Sequence, residues 1–64
     1  MNAKKLKIGE TYETNVYGTW RKVVFKEKWD MARPIYVFYE GTICPEVTRD
    51  EYEVKTIVRE LKKV

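Results

Sequence analysis

RPIYVFYEGTICPEV, residues 33 to 47, is the stretch on which the fold turns, because here alone two apolar runs face each other across an obvious turn. Ile35 to Tyr39 is an unbroken run of β-branched and aromatic residues, and Gly41 takes positive φ without a Cβ clash. The stretch reads as a β-hairpin. A two-residue turn of Glu40 and Gly41 would force Glu40 to positive φ, at about 1 kcal/mol or more. A three-residue loop, Tyr39 to Gly41 with Gly41 as the left-handed bulge residue, avoids that cost. It sets Val37 opposite Ile43 and Ile35 opposite Pro45. Ile35, Val37, Ile43 and Val47 then share one face, with Tyr36, Phe38, Thr42, Cys44 and Glu46 on the other. A slip of one residue would scatter the aliphatic side chains over both faces.

Toward the N-terminus, Trp29 to Arg33 breaks the strand pattern and reads as a loop closed by Pro34, tolerated at a strand start. Thr19 to Lys28 is the longest strand candidate. Strict alternation puts Val23 and Phe25 on one face and Trp20, Lys22, Val24, Lys26 and Lys28 on the opposite one. Gly18 marks a turn. Before it, Ile8, Tyr12 and Val16 alternate with Gly9, Thr11, Glu13 and Asn15, as in a half-buried strand. Met1 to Lys5 is polar and expected to fray. Four strands in sequence with short connections predict an antiparallel meander.

Toward the C-terminus, Thr48 followed by Glu51 has the form of a capping box, with Val47 placed to staple against Tyr52. Val54, Ile57, Val58 and Leu61 follow at i, i+3, i+4 and i+7. Acids lie at the positive end of the helix dipole, and Arg59, Lys62 and Lys63 at the negative end. A closing helix is therefore predicted. The β-branched Val54, Thr56, Ile57 and Val58 each cost about 0.5 kcal/mol relative to Ala, which keeps open one helical turn followed by a fifth strand.

The opening Lys7-Ile8-Gly9-Glu10-Thr11-Tyr12, the hairpin Ile35 to Ile43 and the helical signal Thr48 to Tyr52 together resemble the broad group of small SH3-like barrels. That resemblance implies a small curled sheet used for binding, and it carries no functional residues across.

At 64 residues the chain makes one small β domain, residues 1–64, in which folding buries only about 60% of the surface the unfolded chain exposes. A single Cys and no His leave neither an internal disulfide nor a zinc site to staple it. Stability must come from packing, for which two Trp, five Tyr and two Phe are a large supply. With no apolar run after the first lysines and none near about 18 residues, neither a signal peptide nor a membrane span is expected. The expected compartment is the reducing cytoplasm. Net charge is +3, with the basic groups concentrated in the first half and at the C-terminal end.

Without His or Ser, Ser-His and Cys-His nucleophile pairs are unavailable, and the chain is expected not to be an enzyme. No cofactor is implied, since Gly9, Gly18 and Gly41 have no phosphate-cradling spacing. Cys44, beside Pro45, reads as structural filler. The leading functional candidate is the face of the second strand bearing Trp20, Lys22, Lys26 and Lys28. Cations spaced along a rigid strand beside a ring that can stack on a base suit nucleic acid, with Lys4, Lys5 and Lys7 as further contacts. The competing view is that these lysines only solvate a sheet face or guard an edge. A second candidate is a protein-binding or inhibitor surface of Trp29, Met31, Tyr36 and Phe38. Against it, a C-terminal helix needs an apolar surface, and Tyr36 with Phe38 would supply one.

Overall fold

The computed structural model describes residues 1–41 and 46–61. They form strands β1 (Thr11–Val16), β2 (Thr19–Trp29), β3 (Ile35–Tyr39), β4 (Glu46–Asp50) and β5 (Val58–Glu60), with helix α1 (Glu51–Ile57) between the last two. A single antiparallel sheet runs in the order β4-β3-β2-β1-β5, so the predicted meander is present and extended by one strand. Among the described residues the edges β4 and β5 do not pair, and the sheet is not closed by backbone hydrogen bonds.

One face of the sheet carries the core. Tyr12, Val23, Phe25, Tyr36 and Phe38 bury there against Val54 of α1 and Val58 of β5. Phe38 sits at its centre, its ring centroid 5.3 Å from that of Phe25 and 6.4 Å, edge-on, from that of Tyr12. Tyr36 and Phe38 thus lie in the same cluster as the helix residue Val54.

The hairpin register differs from expectation. Ile35 pairs with Asp50, Val37 with Thr48 and Phe38 with Val47, so Ile35 does not oppose Pro45 and the connection is longer than three residues. Thr42, Ile43, Cys44 and Pro45, and with them the expectations for Ile43 and Cys44, lie outside the described residues. The faces invert as well. Tyr36 and Phe38 take the core side, while Ile35 and Val37 take the outer side. The aliphatic argument assumed that only one face of β3 is covered, yet Tyr36, Val37 and Phe38 are all buried. A strand covered on both sides gives a continuous apolar run, in which alternation says nothing about which side is the core.

α1 also starts later than the Thr48 signal implies. Thr48 is an exposed residue of β4, and Asp50 is the N-cap: its Oδ1 accepts from the Glu53 N–H at 2.8 Å, and Glu53 Oε1 accepts from the Asp50 N–H at 3.1 Å. Two capping boxes overlap in the sequence, and the one whose apolar partner Val54 reaches the core is used. The helix is two turns long, after which the β-branched Val58 enters β5 opposite Thr14. A helix followed by a fifth strand is thus what forms.

The N-terminus is tied down rather than frayed. Ala3–Lys5 forms a 3-10 turn capped by Asn2, Ala3 joins the core cluster, and the Met1 ammonium donates to the Lys55 carbonyl at 3.0 Å. Between β1 and β2, Tyr17 and Gly18 have φ of 49° and 84°, the two positive values of a type I′ turn. Asn15 Oδ1 accepts from the Gly18 N–H at 2.8 Å and fixes it.

Candidate functional site

The outer face of the sheet is where the sequence placed its main functional candidate. Along the first half of β2, cross-strand pairs set Trp20 beside Asn15, Lys22 beside Glu13 and Val24 beside Thr11, all on the side away from the core. The register then breaks. Phe25 opposes Phe38 and Glu27 opposes Val37, which leaves Lys26 as the extra residue of a β-bulge. One unpaired residue reverses the alternation beyond it. Lys28 therefore pairs with Tyr36 on the core side, and Trp29 pairs with Ile35 on the outer side.

The four candidates consequently do not form one stripe. Trp20 and Lys22 share the outer face, and Lys26 reaches over it with its Nζ 5.8 Å from the Tyr39 ring centroid. Lys28 is elsewhere, 5.8 Å from the Tyr36 ring centroid and 3.4 Å from Asp30 Oδ1. The expectation of a single face assumed an unbroken strand, and neither glycine nor proline in Thr19 to Lys28 announces the bulge.

What the bulge removes in charge it returns in aromatic surface. Trp20, Val24, Trp29, Ile35 and Tyr39 also lie on the outer face, strung along it from the start of β2 to its end, and Val37 between Ile35 and Tyr39 is 0% exposed. Trp20 is further ordered by Arg59 of β5, whose guanidinium carbon lies 3.9 Å from the ring centroid while its Nε donates to Glu13 Oε1 at 3.1 Å. Charge stacked on one indole face and neutralised by a carboxylate makes a fixed platform. By sequence pattern Arg59 is a helix-end cation. It is found here because the chain turns into β5 and sets it opposite Glu13. Lys22 and Lys26 make no ion pair among the described residues, in contrast to Arg21, which pairs with Glu40 at 2.8 Å. Lys4, Lys5 and Lys7 are likewise exposed and unpaired among the described residues, but they cluster about the 3-10 turn, not on this face.

The second candidate set is divided between the core and the surface. Tyr36 and Phe38 are core residues, whereas Trp29 and Met31 are 40% and 62% exposed. The helix and 3-10 turn that cover the core take the area those rings would have offered.

A residue that sequence reasoning overlooked closes the sheet instead. From β4, Arg49 reaches across to β1, where its Nε donates to Thr14 Oγ1 at 3.1 Å and its Nη2 to the Asn15 carbonyl at 3.1 Å. Thr14 Oγ1 donates onward to the Ile57 carbonyl at 2.9 Å. A side chain thus bridges two strands that share no backbone hydrogen bond.

Among the described residues, no group of three or more His, Cys, Asp or Glu side chains gathers to hold a metal ion, and no helix is long and apolar enough to cross a membrane. No protein-family model matches the chain, and none of the curated proteins or solved structures compared with it matches significantly.

Proposed function

We propose that this chain is a small non-catalytic cytoplasmic module that binds single-stranded nucleic acid across the outer face of its sheet. The observation that carries this reading is the placing of cations that make no ion pair among the described residues by rings of the same face: Lys22 two residues from the Arg59-stacked Trp20, and Lys26 over the ring of Tyr39. Unpaired bases have free π-faces to stack on such rings, while a duplex keeps its bases stacked internally. In this reading a base stacks at Trp20 or Tyr39, and Lys22 and Lys26 take the backbone phosphates. Lys28, turned to the other side and paired with Asp30, has no part in the site. A five-stranded antiparallel sheet with one short helix before its last strand is the small β architecture on which this binding reading rests. The absence of His and Ser from the chain supports a role in binding over catalysis.

A fluorescence titration of oligo(dT), and of a duplex of equal length, over a range of salt concentrations tests this. Two phosphate contacts on a single strand give a log-log salt slope of about −1.4, and Lys22→Ala or Lys26→Ala should each reduce its magnitude by about 0.7. Trp20→Ala should weaken single-strand binding by about 1 to 3 kcal/mol. Absence of binding at low salt, where a cationic footprint is strongest, would sink the proposal.

A further inference from the structure

We infer, on the single-strand reading above, that Arg59 gives the outer face a base preference, with the free end of its guanidinium taking the two adjacent acceptors of an unpaired guanine. β5 sets Arg59 opposite Glu13, which lies opposite Lys22 in turn, so these side chains form a row across β5, β1 and β2 on one face. From that row Arg59 reaches diagonally to the ring of Trp20.

The parts of the guanidinium have different surroundings. Its Nε donates to Glu13 Oε1 at 3.1 Å, and its carbon lies 3.9 Å from the indole centroid. Among the described residues neither terminal nitrogen makes a hydrogen bond, and 43% of the side-chain surface is still open. Held at Nε and stacked on the indole, with its terminal N–H groups unused, it is a planar fork already oriented for a pair of acceptors.

Charge and chemistry select the acceptor. A phosphate brought to this fork would also approach the Glu13 carboxylate, which already balances the guanidinium charge. Lys22 and Lys26 make no ion pair among the described residues and are the stronger phosphate partners. A base edge is neutral and escapes that repulsion. Guanine presents two acceptors, O6 and N7, side by side on one edge. On the same edge adenine puts an amino donor beside N7, thymine offers O4 alone and cytosine an amino donor. In an unpaired strand the edge is open to a side chain.

The test is a set of fluorescence titrations at low salt with four single-stranded heptamers, one all thymine and three with a central guanine, adenine or cytosine. The guanine heptamer should bind at least about fivefold more tightly than the others, the lower limit for one bidentate base contact. Arg59→Lys keeps a cation but not the fork, and should bring that ratio to within about twofold of one. The ratio is taken within each variant, so a general loss of affinity or stability cancels. Lys22→Ala should weaken binding of all four heptamers and leave the ratio as it is. In the wild-type protein the Nε–H resonance of Arg59 should move further with the guanine heptamer than with the all-thymine one. Equal binding of the four, a preference for adenine or cytosine, or a guanine preference that survives Arg59→Lys would overturn the inference and leave the single-strand reading standing. Binding of none of them at low salt would overturn both.

Discussion

Replacing Thr14 with valine removes one hydroxyl while preserving the side-chain shape, at a position with 0% exposure. That hydroxyl donates to the Ile57 carbonyl at 2.9 Å and accepts from Arg49 Nε at 3.1 Å. In Thr14→Val the carbonyl at the end of α1 loses its donor, a cost of about 1 to 3 kcal/mol for a buried group left unsatisfied. Arg49 loses one acceptor, about 1 kcal/mol more, but keeps the Asn15 carbonyl at 3.1 Å and Glu53 Oε2 at 3.6 Å. The sum is about 2 to 4 kcal/mol. A chain of 64 residues has roughly 3 to 10 kcal/mol of total stability, so the loss is a large share of it. With a urea m-value of about 1 kcal/mol/M for so small a domain, the midpoint should fall by about 2 M or more. A shift below about 0.5 M would refute the view that this hydroxyl ties α1, β1 and β4 together. A double-mutant cycle with Arg49→Met sharpens the point: shared bonding predicts coupling of about 1 kcal/mol, and additivity would contradict it.

Asp50→Ala should cost about 1 kcal/mol through loss of the N-cap, while Thr48→Ala, on the exposed side of β4, should change stability by less than about 0.5 kcal/mol. Chemical denaturation of the two variants side by side decides it, and the reverse order would place the helix start at Thr48. Tyr17→Asn should raise stability by up to about 1 kcal/mol, because asparagine tolerates left-handed backbone that tyrosine occupies at a cost. Unchanged or lowered thermal stability would show that the ring makes a favourable contact in the fold.

The strands of the meander were legible because each lies between punctuating residues: Gly18 ends β1, and Pro34 precedes β3. The outer-face order was not. A β-bulge is a property of two strands, and Lys26 becomes the extra residue only because Phe25 and Glu27 find consecutive partners, Phe38 and Val37, on β3. Likewise the Thr48 box and the Asp50 box are equally good locally, and the choice is made by whether Val54 reaches Phe38's cluster. Arg49 carried no sequence signal, since its partners Thr14 and Asn15 are more than thirty residues away along the chain. Of the candidate site, Trp20 and Lys22 were readable from alternation up to the bulge. Trp29 joins them only through the same reversal that removes Lys28.

If single-stranded nucleic acid lies on the outer face, an NMR titration with oligo(dT) at low salt shows it directly. The predicted result is a set of shifts at the indole N–H of Trp20 and Trp29 and at the amides of Lys22, Val24, Lys26 and Tyr39, all reversed by added salt. Shifts confined to Lys4, Lys5, Lys7 and Lys55, or no shifts at all, would contradict it.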